Sequence, residues 1–458
     1  MTPILDVILG LVGLGIVIFV HELGHFLAAR AVGIGVEAFS LGWGPRLLSW
    51  KRGETEYRIS VFPIGGYCLM RGEAEFRQAI ESKNAEIPRT PGTFHGASPL
   101  RRIIVSLAGP LANVVFAAIV FIGVAGVGYD VNTHGNKIVL ASDFPLNSPA
   151  GAVHRYPADV AGLKTGDTIL DIDGKPVADY YMIQEAITEN SPGGKLGVYA
   201  WIDPVVASVS PASSADLAGI RAGDRIVAVN ATPVDQAIAV MAALGDKPEK
   251  AVFTIDRNGM KTDVPLVLSW KDNGESNLGI SYGSISHLVR SASVPASIAD
   301  GLKETGNTFL LTLRSLGIVV RHPTPHAMRL TVQRGDQTLD LVAKPSFDDV
   351  NLVNSLSGPA RITWIVGNTA VQGMGEGVVS GLAKSFDLLA FLSIGLFIMN
   401  LLPIPALDGG QIVLWIVEAA RRRPLKAITV WRFQLVGAIF VLALFVLATA
   451  SDVLWFNR

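Results

Sequence analysis

Apolar residues gather in four long runs, roughly 4–32, 103–128, 388–417 and 430–450, the third interrupted near its middle. Each offers the ~20 mostly apolar residues that a helix needs to cross a hydrocarbon layer. The pattern predicts a polytopic α-helical membrane protein with four transmembrane helices. Between the second and third runs, residues 129–384 mix polar and apolar positions as a water-facing region does.

That region contains a repeat. "ADVAGLKTGDTILDIDGKPVADYYMIQEAI" from Ala158 and "ADLAGIRAGDRIVAVNATPVDQAIAVMAAL" from Ala215 share one order. Each reads as a short helix ending near Gly162 or Gly219, a Gly-Asp turn, an alternating strand, a second turn and a further helix. The order resembles the PDZ fold in its permuted form, which implies a module that binds an extended peptide at a sheet edge or acts as a steric filter. The second copy closes with the hairpin "AVFTIDRNGMKTDVPLVL", turning at Asn258-Gly259. The first has none in place. A matching stretch, "MRLTVQRGDQTLDLVAKP", comes only at Met328–Pro345. Either it folds back to complete the first copy, the preferred arrangement, or the order is rearranged. Leu302, Phe309, Leu313 and Leu316 recur at helical spacing in a segment suited to lying on the membrane surface or to packing against the repeated modules.

Charge sets the orientation. Arg30, Arg46, Lys51, Arg52, Arg58, Arg101 and Arg102 flank runs one and two, and Arg421, Arg422, Arg423, Lys426 and Arg432 lie between runs three and four. Positive loops stay in the cytoplasm, so both termini and the repeat region are expected outside. The first run lacks a basic start and carries its polar group mid-run, so it is expected to be retained rather than cleaved as a signal. A mean hydropathy of +0.41 agrees with lipid as the solvent of several segments, and a net charge of -1 without a basic, aromatic-interleaved run sets nucleic acid aside. The single cysteine, Cys68, excludes an intrachain disulfide and a cysteine-based metal cluster.

The first run also holds "GIVIFVHELGHFLAA". On a helix His21 and His25 share a face one turn apart, so both imidazoles can converge on one ion, with Glu22 near enough to reach water beside it. Packing histidines with a buried glutamate are the bland alternative. They fit poorly, because a charge deep in a span costs about 2.5 kcal/mol or more without a partner or a watery cavity. A catalytic zinc normally takes a third protein ligand. The interrupted third run supplies one in "FIMNLLPIPALDGGQIV", where prolines and glycines break the helix and Asp408 sits at membrane depth. Helix capping alone would suit Asp408 but not explain the paired prolines. His322 and His326, with prolines between them, cannot present one helical face and read as a loop.

H-E-L-G-H in the first run with N-x-x-P-x-P-x-L-D-G-G in a later one resembles the site-2 protease family of intramembrane metalloproteases, of the bacterial type with tandem PDZ modules. "LAGPLAN" at Leu107–Asn113, "GTFHGASPLRR" and "LSGPARI" at Leu356–Ile362 extend the likeness. The resemblance implies zinc held by His21, His25 and Asp408, Glu22 as general base, and Asn400 holding the substrate strand or the oxyanion. It likens Glu54–Met70 to a membrane-reentrant β-hairpin, with Gly65-Gly66 at its turn and a substrate-pairing edge carrying Tyr57, Ile59, Val61, Gly65 and Gly66. Cys68 and Leu69 stand where the family usually has valine and lysine. The expected division is 1–32 first span, 33–99 cytoplasmic loop with the hairpin, 100–128 second span, 129–198 and 199–290 the PDZ-like copies (327–345 completing the first), 291–384 a membrane-surface segment, 385–420 third span, and 421–458 cytoplasmic loop and fourth span. The implied enzyme sits in a bacterial inner membrane and cuts single-pass membrane proteins such as anti-sigma factors and remnant signal peptides, already shortened outside by an upstream site-1 protease. A non-catalytic PDZ scaffold with structural zinc is the rival. A transporter is disfavoured because the two halves repeat no spans.

Overall fold

A computed structural model describes residues 3–81, 87–144, 155–191, 194–270, 276–315, 325–346 and 358–456. Two compact units emerge: one takes the described residues up to 129, 289–315 and 358–456, the other 130–288 and 325–346.

In the first unit, four helices are long and apolar enough to cross a membrane: Pro3–Ala31, Pro99–Val127, Val378–Leu401 and Ala427–Phe456. They are called spans one to four below. The third differs from the expected 385–420. It begins a turn or two earlier, because Lys384 and Asp387 interrupt an apolar run that the helix itself carries through. It ends at Leu401, and a separate helix, Asp408–Arg421, follows the break. Pro403 and Pro405 cannot donate to a helical ladder, so the chain turns there.

The region expected on the membrane surface behaves differently. Helix Val294–Ser315 packs Phe309 and Leu313 against Ala117, Phe121, Ala390, Ile394 and Ile398 of spans two and three. Its apolar face is thus covered by protein from the bundle, an option that periodicity alone does not distinguish from a lipid surface. Leu302 stays exposed, and Leu316 lies outside the described residues, as do His322 and part of "LSGPARI". Helix Pro359–Glu376 adds Val366 to a cluster with Val17 and Leu389 of spans one and three. Its N-terminus is capped by the span-four carboxylate of Asp452, which accepts from the backbone N–H groups of Gly358, Ala360 and Arg361 at 2.7, 3.0 and 3.1 Å.

The expected hairpin within Glu54–Met70 is a larger sheet. Val36–Arg52 pairs with Thr55–Met70, and Ala38–Leu41 lies between two stretches of the latter, opposite Glu56–Ile59 and Gly66–Leu69. The reversal between the long strands falls at Gly53, and Thr55–Met70 itself turns back between Phe62 and Gly66, so that Gly66 opens the returning stretch. Gly66 is also a close-approach residue: a Cβ there would lie 2.6 Å from the Ser40 carbonyl oxygen. The sequence of Val36–Arg52, dense in glycine, proline and charge, hides its role as the partner strand.

In the second unit, one plan occurs twice. The copy built on Ser214–Leu217 has a four-stranded sheet in the order Thr232–Pro233, Arg225–Val229, Lys250–Arg257, Met260–Val267. The copy built on Pro157–Val160 has Lys175–Pro176, Thr168–Ile172, Met328–Arg334, Gln337–Ala343 in the same order. Val332 faces Ile169 as Ile255 faces Ile226. The same ion pair also recurs: Arg334 bonds Asp167 and the Gly162 carbonyl, and Arg257 bonds Asp224 and the Gly219 carbonyl. Each copy closes its own core, around Ile169, Ile183 and Leu330 in one and Ile226, Val240 and Phe253 in the other. Strand Val198–Ala200, at the expected boundary, pairs with Ile138–Leu140 and so extends the first copy to residue 200.

Candidate metal centre

His21 and His25 lie on adjacent turns of span one and Asp408 opens the helix after the proline break. All three are largely buried. His21 Nε2 lies 3.1 Å from His25 Nε2 and 3.2 Å from Asp408 Oδ2, and His25 Nε2 lies 3.5 Å from Asp408 Oδ1. Three donors at tetrahedral corners, each 2.0–2.1 Å from an ion, stand about 3.3 Å apart, so this triangle fits zinc. His25 Nδ1 donates to the Val105 carbonyl at 2.8 Å, which leaves its Nε2 lone pair facing the triangle. Pro110, which cannot donate to the Ser106 carbonyl one turn back, disturbs the ladder of span two in this region.

Small residues let the helices come this close. A Cβ on Gly24 would lie 2.3 Å from the Ala108 carbonyl oxygen, and one on Gly109 would lie 2.3–2.7 Å from three atoms of the His25 ring. The glycine of "LAGPLAN" is therefore a seat for a candidate ligand. A Gly109→Ala variant should lose most of its zinc affinity because the ring must rotate off Val105 or span two must retreat; a chelator-competition titration that finds wild-type affinity would contradict this.

A cavity of about 430 Å³ opens on the triangle, lined by His21, Glu22, His25 and Asp408 together with Asn400 and the strand residues Cys68–Met70. Glu22 accepts a hydrogen bond from the Cys68 backbone N–H. Asn400 Nδ2 is 3.5 Å from His21 Nε2. Of the expected substrate-edge residues, Gly66 comes near Glu22, its would-be Cβ 3.6 Å from Glu22 Cγ. Tyr57 instead packs against Phe26, Phe39 and Trp50, and neither it nor Ile59, Val61 or Gly65 lines the cavity. Burial pushes the Cys68 thiol up to about 12, so a thiolate nucleophile is not available beside Glu22.

Sequence reasoning passed over several lining residues, among them Ser106, His95, Gln411 and Trp415. His95 stacks on Phe76, and burial pushes its imidazole down to about 4, so it stays neutral. Its place in the quoted "GTFHGASPLRR" was the available signal.

A family model described as peptidase family M50 matches residues 9–444. The chain belongs to peptidase family M50, the site-2 proteases. This M50 chain is a zinc metalloprotease, and its histidine pair and carboxylate are of the nitrogen and oxygen donor types that zinc accepts. It is similar to a candidate zinc metalloprotease of Treponema pallidum (33% identical, over 98% of this chain and 99% of that one). It is also similar to the regulator of sigma-E protease RseP of Escherichia coli (29%, over 96% and 97%) and to the zinc metalloprotease RasP of Geobacillus kaustophilus (26%, over 96% and 95%).

Proposed function

We propose that this chain is an intramembrane endopeptidase that cuts single-pass membrane proteins, with His21, His25 and Asp408 as the zinc ligands and Glu22 as the general base. The observation that carries the reading is the 3.1–3.5 Å triangle of donors formed by span one and the helix that follows span three, with a carboxylate beside it and a cavity leading to it. When bound, zinc supplies Lewis acidity, polarising a carbonyl and making water a nucleophile near neutral pH. Glu22 takes the proton from the attacking water and returns it to the leaving amine. The Asn400 amide steadies the carbonyl under attack. A helical peptide bond is shielded by its own ladder, so the substrate unwinds and recovers its backbone bonds by lying along strand Gly66–Met70, the edge that reaches Glu22.

Positive loops place both termini and the PDZ-like copies outside an inner membrane. The copies follow span two directly in the chain and act as a filter against substrates with bulky outer domains. The substrates are then proteins already trimmed by an upstream protease, of the anti-sigma-factor class, and remnant signal peptides; the Escherichia coli relative is named a regulator of sigma-E.

The test uses purified full-length protein in liposomes with single-span reporters, trimmed or carrying a folded outer domain. Trimmed reporters should be cut within the span, cutting should stop with a chelator and resume with zinc, and intact reporters should resist. Zinc binding without cleavage of any reporter would favour a scaffold; equal cleavage of both reporter classes would remove the filter.

A further inference from the structure

The two imidazoles of the triangle are held differently. For a histidine to offer Nε2 to a metal, its Nδ1 carries the proton and needs an acceptor. His25 has one in the Val105 carbonyl. At His21 the group meeting Nδ1 is the side-chain amide of Asn113, with Nδ2 at 3.3 Å. Asn113 is fully buried, and its Oδ1 has no partner. An amide nitrogen cannot accept, so this orientation pairs with the His21 tautomer whose Nε2 is protonated and closed to a metal. The opposite orientation, with Oδ1 on His21 Nδ1–H, partners the stranded oxygen and frees the Nε2 lone pair. The two amide ends are nearly isosteric, so chemistry rather than shape decides between them.

We propose that Asn113 is the positioning residue for His21: its amide oxygen accepts from Nδ1–H and holds the ring in the tautomer that offers Nε2 to zinc. The backbone of Asn113 is fixed for this by Ser393 of span three, whose Oγ donates to the Asn113 carbonyl at 3.2 Å. The asparagine of "LAGPLAN" and its glycine, one turn apart on span two, thus serve one histidine each. Asn113 touches neither substrate nor metal, and acts through His21 alone.

The inference rests on His21 being a ligand, so His21→Ala is measured alongside. Full-length protein in detergent is stripped of metal and titrated with zinc against a competing chelator. Asn113→Leu, close in size and without an acceptor, should bind zinc about 10–100-fold more weakly, the range for loss of such an outer partner. Asn113→Asp, which keeps an acceptor at that point, should return to near wild-type affinity. The unfolding temperature of each metal-free variant shows whether the bundle stands; should Asn113→Leu not fold, Asn113→Ala takes its place in the same titration. Wild-type affinity in a folded variant lacking the acceptor, or Asn113→Asp binding as weakly as that variant, overturns the proposal. If His21→Ala itself keeps zinc, the ligand assignment has failed instead.

Discussion

A Glu22→Gln variant is expected to hold zinc as the wild-type chain does and to cleave about 10²–10⁴-fold more slowly, the range for losing a positioned general base. The glutamine amide is nearly the same shape, and its carbonyl oxygen can still accept from the Cys68 N–H, so the strand beside it keeps its place. What disappears is the basic carboxylate. Asp408, the carboxylate within the triangle, is proposed as a metal ligand, and burial pushes the Cys68 thiol up to about 12, so neither offers a free base in its place. Zinc content by competition titration and reporter cleavage by gel are read on the same preparation. A rate within tenfold of wild type would mean that Glu22 is not the base, whereas loss of zinc would place it in the donor set.

Much of this site was legible because its chemistry is local or carries a visible penalty. His21 and His25 are one helical turn apart, so a helix alone brings them together. Asp408 is distant in sequence, yet it stands beside backbone that no lipid-facing helix would tolerate, which marks it. The sheet was harder. Gly65-Gly66 has the composition of a turn and stands at the end of one, but Gly66 is also needed for the approach of Ser40, and a glycine required by a neighbour looks the same in sequence as one required by a bend. Helix Val294–Ser315 shows a similar degeneracy, since its apolar stripe suits lipid headgroups and the flank of a bundle alike. The hairpin that joins Thr168–Ile172 was recognisable by its likeness to Lys250–Val267, although its partner strand lies more than 150 residues away. The pairing of Asp452 with Gly358 was marked at one end only, by the glycine of "LSGPARI", and nothing in the sequence pointed to Asp452 as its partner.

The largest effect on stability is expected from another pairing distant in sequence, Glu418 with Arg102. These are separated by 316 residues and almost fully buried, their guanidinium nitrogens and carboxylate oxygens 2.6 and 3.3 Å apart. The Arg102 guanidinium also lies over the Trp415 ring at 4.3 Å, and the Leu425 backbone N–H donates to Glu418. The pair joins span two, which carries Val105, Gly109 and Asn113, to the helix that begins at Asp408. Cutting it therefore loosens both walls of the centre together. Glu418→Ala leaves the Arg102 charge buried without its buried partner, a change that costs about 3–5 kcal/mol. Arg89, half-exposed at the edge of the same carboxylate, is screened by water, so Arg89→Ala should cost about 0–1 kcal/mol. The double variant Arg102→Met with Glu418→Leu should recover most of the loss, because what destabilises is the stranded charge rather than the missing attraction. Thermal unfolding of the zinc-free proteins in one detergent reads all three. A Glu418→Ala variant as stable as wild type would show that water reaches Arg102, and the pair would then not be what clamps these two helices.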